Sequence, residues 1–203
     1  MGLLYNTIMI KALLIDGDGV VIKPHKYFSE RLREEGKNLP EEIVLPFFKN
    51  EYSKVAVGKA DLRTEVSKYL KDWQWEGTVD ELLRFWFEGE NELDMEVLQL
   101  IKVLREKGFK CYLCSDHSRY RADDLIKNIG LGKYFDGAYF SGYVGYTKGE
   151  SEFFKFVLDD LNLNSDEVIF FDDDDKNVEA ARSLGIKAEV YEGAEQLEDW
   201  LEN

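Results

Sequence analysis

Sulfur and imidazole are scarce in this chain: two cysteines and two histidines among 203 residues. Cys111 and Cys114 share one motif, "KCYLCSD", and no second pair exists. A four-cysteine zinc site and a disulfide framework are therefore excluded. The stretch around them reads as a strand, where positions three apart point to opposite faces, so both thiols are expected to pack rather than react. So few cysteines suit a reducing, cytoplasmic setting. His25 and His117 are too few for a histidine metal centre. Both are expected at solvent or at the rim of a cleft. Long apolar runs are also missing: none reaches the roughly 18 residues of a membrane span. The opening "MGLLYNTIMIKALLID" is apolar but has neither a basic start nor a cleavage site, so it reads as a buried strand rather than a leader. Positive charge is in deficit, with 26 basic residues against 41 acidic ones and a net charge of −15. That balance argues against nucleic acid or an anionic membrane as partner. It does not exclude a small anion held in a cleft.

What is present fits one domain, or one domain with an insertion. Apolar residues make up 44% and aromatic residues 14%, enough for a sizeable core. Residues 8 to 15, "IMIKALLI", read as a strand covered on both faces. Residues 21 to 90 then read as all-helical. A helix over 26 to 35 stops at Gly36. An aromatic-rich helical stretch from 41 to about 57 is disturbed by Pro46. Asp61 can cap the next helix, and "TVDE" at 78 to 81 is a capping box. This stretch holds 12 basic and 14 acidic residues, so it is nearly neutral within an acidic chain and suited to cover a site that holds an anion. From residue 94 helices alternate with the strands "FKCYLC", "GAYF", "VIFF" and "KAEV". Such alternation implies right-handed crossovers and a parallel sheet. With no repeats and no linker of biased composition, the helical stretch reads as an insertion after the first strand.

In a parallel sheet, ligands bind outside the carboxyl ends of the strands. Asp16 and Asp18 follow the first strand in "LLIDGDGVV". Ser115 and Asp116 follow "CYLC". Asp172 to Asp175 follow "VIFF", and Lys148 lies in "GYTKGE" before a helix. Four or five carboxylates at one edge repel one another, which a hard divalent cation with oxygen ligands relieves; Mg²⁺ is the usual choice beside phosphates. Lys148 and Ser115 offer a positive point charge and a hydrogen-bond donor to a phosphoryl group. Glycines 17 and 19 let backbone amides approach an anion. An Asp can serve as nucleophile and a second carboxyl as general acid and base.

The stretches "DGDGVV", "LCSD", "GYTKGESEFF" and "FFDDDDKNVEAARSLGI" resemble, in order and spacing, the four motifs of the haloacid dehalogenase-like (HAD) superfamily. The resemblance implies a Rossmann-like parallel sheet flanked by helices, an α/β core over residues 1–20 and 91–203, with an all-helical cap over 21–90 like that of subfamily I. By position, Asp16 resembles the nucleophile and a metal ligand. Asp18 resembles the general acid/base, whose main-chain carbonyl also binds metal. Ser115 and Lys148 resemble the phosphate binders, and Asp172 and Asp173 the metal-binding acid pair. Asp174 and Asp175 carry no such role and are expected at solvent or loop positions. Two positions depart from the family pattern: Asp116 stands where Asn is common, and Gly149 where Pro is usual. Asp116 adds negative charge beside the site, and Gly149 leaves the Lys148 loop freer.

Taken singly, the features are ordinary. Asp-Gly-Asp-Gly can be a turn, and "DDDD" a solvated charge run. An EF-hand loop would need an acid at its fifth position and Glu at its twelfth, where Val20 and Tyr27 stand. The expected function is a Mg²⁺-dependent phosphatase acting on a small phosphorylated metabolite, a sugar phosphate or nucleoside monophosphate, through an aspartyl phosphate. A sugar phosphomutase would use the same residues, and a non-catalytic phospho-ligand-binding protein could keep the fold. Asp18 counts against a dehalogenase, and the acid pair on the first strand counts against a receiver domain. Lys23, His25 and Lys26 are candidates to meet substrate at the cap hinge. Phe47, Phe48, Tyr52, Trp73, Trp75, Phe85, Trp86 and Phe87 are expected to build the cap core rather than a substrate box.

Overall fold

The strand–helix alternation read from the sequence is realised as five parallel strands in the order β3-β2-β1-β4-β5. They are β1 (Ala12–Asp16), β2 (Lys110–Ser115), β3 (Gly137–Phe140), β4 (Val168–Asp172) and β5 (Lys187–Val190). The structure, a computed structural model, describes residues 10–34 and 39–202. Of the strand expected at 8 to 15, positions 8 and 9 lie outside the described residues, and the pairing starts at Ala12 and runs on to Asp16. Gly36, the expected helix stop, also lies outside them.

Alternation along each strand divides the core in two. Leu13 and Ile15 of β1 and Ile169 and Phe171 of β4 face one side, where Val97, Leu98, Ile101 and Leu104 of helix Met95–Glu106 cover them. Ala12, Leu14, Val168 and Phe170 face the other, against Phe153, Phe154 and Val157 of helix Ser151–Leu161 and Val178 and Ala181 of helix Asp175–Arg182. Cys111 packs in the first cluster and Cys114 in the second, as their spacing in a strand requires. Burial pushes the Cys111 thiol up to about 12, so it is inert at neutral pH. Two of these helix starts carry side-chain caps: Asp94 accepts from the amides of Glu96 and Val97, both at 3.1 Å, and Asp174 accepts from Lys176 N at 2.8 Å.

Between β1 and helix Met95–Glu106 the chain builds a third apolar cluster of its own, from Phe28 to Trp86. Phe28 stacks on Trp86 with centroids 4.5 Å apart, and Phe47 meets Trp73 edge-on at 5.3 Å. Pairs of this kind contribute about 0.5 to 1.5 kcal/mol each beyond their buried area. Helix Val79–Gly89 opens on the expected capping box, Thr78 with Glu81, and Asp61 caps helix Leu62–Ser67. Pro46 does not end its helix. Helix Glu41–Pro46 continues into a π-helical turn, Phe47–Glu51. Proline lacks an amide proton and crowds the carbonyl four residues back; a widened turn at that point accommodates the defect.

Two chain segments join this unit to the sheet, and they pair with each other. Ile22 bridges Leu93 in antiparallel fashion, Asp94 N donates to Val21 O at 2.9 Å, and Lys23 N to Glu92 O at 2.9 Å. A second set of contacts lies farther out. Ser141 Oγ donates to Ala56 O at 2.7 Å, and Tyr120 OH to Asp61 Oδ2 at 2.8 Å. Among the described residues no helix is long and apolar enough to cross a membrane.

Candidate active site

The strand order reverses direction between β1 and β4, and in such sheets the crevice lies outside the carboxyl ends of the strands at that point. Asp16 terminates β1 and Asp172 terminates β4. Both side chains are buried, Asp172 completely. Lys148 reaches in from the loop before helix Ser151–Leu161 and bonds both carboxylates, Asp16 Oδ1 and, at 2.6 Å, Asp172 Oδ2. Its ammonium is itself buried. Burial alone would lower the Lys148 pKa, but Asp16, Asp172 and Asp116 outweigh it and hold the group above its ordinary value. The lysine is therefore a permanent cation. Burial raises the Asp16 carboxyl well above the usual Asp range; Lys148 opposes the rise, while Asp172 and Asp18 add to it.

Loop residues bring in the rest. After Asp16 the chain folds back on itself, with Val21 N and Ile22 N both donating to Gly17 O at 2.8 Å. The two glycines do more than expose amides. A Cβ on Gly17 would lie 2.6 Å from Ser115 Oγ, so the missing side chain lets the hydroxyl at the end of β2 sit against this loop. Gly19 has φ +87°, and a Cβ there would lie 2.0 Å from Asp173 Oδ2. One carboxylate oxygen from each of Asp16, Asp172 and Asp173 lies within 4.8 Å of the others. Three hard oxygen donors this close, with only one ammonium between them, fit a small divalent cation.

Asp18 is set apart from this cluster. Its side chain is 44% exposed and lies 3.4 Å from His117 Nε2. Burial pushes the Asp18 carboxyl up, but His117, with Arg121 and Lys148, outweighs it and holds the group below the usual carboxylate range. The Asp116 carboxylate accepts from Lys148 N at 3.0 and 3.3 Å and so fixes the lysine loop. Gly149 packs close to the Lys176 side chain, at 2.7 Å from a Cβ built there.

Three site neighbours had been given no role from the sequence. Asn177, the Asn of "DDDDKN", is buried and donates to both Asp172 oxygens at 3.1 and 3.2 Å; the motif itself carried the signal. Arg121 is buried and bonds Glu90 O at 2.5 Å, Asn91 Oδ1 at 2.7 Å and Asp124 Oδ2 at 3.0 Å. Glu90 accepts from Phe28 N at 2.6 Å and Trp86 Nε1 at 2.9 Å. Nothing in the sequence pattern marks either residue. His117, expected at solvent or at the rim of a cleft, lies at a cleft: it is 5% exposed, packs near Phe140 and lines the cleft beneath the helical unit. Lys23, His25 and Lys26 turn away to Asp94, Glu92 and Glu34. Asp174 caps its helix, and Asp175 is exposed at its start.

A cleft of about 260 Å³ runs from Asp18 beneath the helical unit. Phe48, Tyr52, Trp86 and Phe87 belong to that unit's apolar cluster and also line the cleft, so they are core and wall at once.

Comparison with known proteins agrees with this architecture. The family model described as haloacid dehalogenase-like hydrolase matches residues 10–185. A phosphorylated carbohydrates phosphatase of Thermotoga maritima is 26% identical over 199 residues, 94% of this chain and 88% of that protein. Drimenol cyclase drtB of Aspergillus calidoustus is 30% identical over 106 residues; these are 52% of this chain, and the match spans about a fifth, 20%, of that longer protein. A HAD family enzyme of Bacteroides thetaiotaomicron, crystallised in complex with magnesium and inorganic phosphate, superposes with a TM-score of 0.77 at 24% identity, covering 90% of this chain and 94% of that one. At that identity the likeness is one of fold. With a matched segment that takes in β1 through helix Asp175–Arg182, the chain belongs to the haloacid dehalogenase-like hydrolases.

Proposed function

We propose that this hydrolase is a Mg²⁺-dependent phosphatase of a small phosphorylated metabolite, with Asp16 as nucleophile. The observation that carries the reading is the meeting of Asp16, Asp172 and Asp173 with the buried ammonium of Lys148 at the β1/β4 edge. Asp16, Asp172, Asp173 and the main-chain carbonyl of Asp18 would hold Mg²⁺. Bound there, the ion neutralises charge on the phosphoryl oxygens and on the clustered acids.

The protein's own groups divide the remaining work. Asp16 attacks phosphorus and the bond to the leaving oxygen breaks, giving an aspartyl phosphate. Lys148 and Ser115 bind the phosphoryl oxygens. Asp18 gives a proton to the leaving oxygen, then takes one from the water that hydrolyses the acyl phosphate. With Asp18 held low in the free protein, an arriving phosphate must raise it; a like charge nearby does so. The helical unit, residues 21–90 in this reading, acts as the cap that covers the site against bulk water. The relative named for phosphorylated carbohydrates supports a sugar phosphate as substrate.

The test is release of inorganic phosphate from a panel of sugar phosphates and nucleoside monophosphates, with Mg²⁺ or with EDTA, by wild type and by Asp16→Asn. Metal-dependent release that Asp16→Asn abolishes is expected. Turnover that survives either EDTA or Asp16→Asn overturns the mechanism, and isomerised sugar phosphate without phosphate release would mark a mutase.

A further inference from the structure

The cleft beside Asp18 has an uneven inventory of polar groups. Its walls are the rings of Phe48, Tyr52, Trp86 and Phe87. Three carboxylates line it, Asp18, Glu90 and Asp116, and one guanidinium, Arg121. That guanidinium is already engaged by Phe87 O, Glu90 O, Asn91 and Asp124, and it stacks over the Phe87 ring at 5.3 Å. Lys148 is held by Asp16 and Asp172. A second anion entering this cleft would meet three carboxylates against one guanidinium, which Asp124 already pairs. Two buried atoms of lining residues lack a hydrogen bond, Nε of Arg121 and Nε2 of His117; the histidine is 5% exposed, and its nearest carboxylate oxygen, Asp18 Oδ1, is 3.4 Å away. A buried nitrogen in that state calls for a partner.

We propose that this cleft is the subsite for the alcohol part of the substrate, and that it selects an uncharged ring alcohol over one bearing a second anion. The proposal rests on the phosphatase reading for the position of the phosphate. The apolar face of the ring packs on Tyr52, Trp86 and Phe87, as C–H and aromatic faces do. One ring oxygen or hydroxyl pairs with His117 Nε2. Glu90 and Asp116 set the charge rule: a carboxylate or second phosphate on the alcohol is repelled at short range in a poorly hydrated pocket. His117 and Glu90 are thus specificity-determining residues, and Asp116 joins selection to the anchoring of the lysine loop.

The discriminating pair is glucose 1-phosphate and glucuronic acid 1-phosphate, nearly equal in size and different by one carboxylate. Binding of each is measured by calorimetry on the Asp16→Asn protein with Mg²⁺, and phosphate release on wild type. The uncharged member is expected to bind at least tenfold more tightly. Glu90→Gln and Asp116→Asn are each expected to narrow the gap by threefold or more. His117→Ala should weaken the uncharged member more than it weakens inorganic phosphate. Equal binding, preference for the glucuronic acid ester, binding of neither, or a gap that both charge variants leave intact overturns the proposal. So does tighter binding of phosphocholine than of either ester, which would assign the rings and acids to a cation. A binding preference without any phosphate release would sink the phosphatase reading and leave the subsite standing.

Discussion

Lys148 bridges the ends of the two central strands: its ammonium bonds Asp16 at the end of β1 and Asp172 at the end of β4. The same cation that would hold a phosphoryl oxygen therefore also neutralises two buried carboxylates in the free protein. In the proposed mechanism, catalysis and folding would share one side chain.

Lys148→Met is accordingly expected to act on both. Removing one partner of a buried ion network costs about 3 to 5 kcal/mol. Loss of a preorganised electrostatic group lowers turnover by about 10² to 10³. Urea unfolding and phosphate release measure the two effects. A variant as stable as wild type would show that the buried acids do not need the lysine.

Metal and fold are linked in the same way. Mg²⁺ at about 100 times its Kd should stabilise the protein by about 2.7 kcal/mol, seen as a rise in melting temperature. Asp172→Asn and Asp173→Asn should diminish the rise, since each removes one of the three clustered oxygen donors. An equal rise in both variants would place the ion elsewhere.

Gly19→Ala tests the loop just after the paired acids. With φ at +87° and a Cβ position 2.0 Å from Asp173 Oδ2, alanine strains the backbone and displaces a carboxylate. A cost of about 1 to 3 kcal/mol is expected, with weaker Mg²⁺ binding by calorimetry. Wild-type metal affinity would mean that Asp173 need not approach this loop.

Asp136 gives a pH test away from the site. Burial raises its carboxyl, but hydrogen bonds from Arg105, from Cys111 N and from Lys110 outweigh this and hold it below the ordinary Asp value. A folded-state value below the unfolded one means that the acid stabilises the fold above the unfolded pKa, near 3.9. That contribution is lost as pH falls through the folded pKa. Asp136→Asn should cost about 1 to 2 kcal/mol at pH 7, and the difference should shrink as the pH is lowered from 5 toward 2. Urea unfolding of both proteins across that range checks it, and a constant difference would contradict the linkage.

The sheet, its helices and the acids at its edge were legible because each rests on local chemistry. "VIFF" and "GAYF" are apolar runs of strand length, Asp94 and Thr78 are caps, and the four motifs fall at strand ends. What was not legible depends on contacts between distant residues. His117 reads as a polar loop residue until Phe140 and the helical unit bury it. Arg121 has no motif, because its meaning lies in carbonyls 31 and 34 residues earlier. Pro46 reads as a disturbance of its helix, and the sequence does not reveal that the disturbance takes the form of a π-helical turn.

The central strand comes first in the chain, yet its partners come late: Ala12 pairs with Lys110 on one side and with Val168 on the other. During synthesis β1 must therefore wait, unpaired on both edges, while about half of the chain is made, about five seconds or more at ordinary ribosomal rates, and longer still for its β4 edge. The aromatic cluster from Phe28 to Trp86 closes over short sequence distances and can form meanwhile. A nascent chain cut short before residue 110 would carry a folded helical unit beside an apolar strand with no neighbour, which makes such truncated products of this protein prone to aggregate by strand pairing.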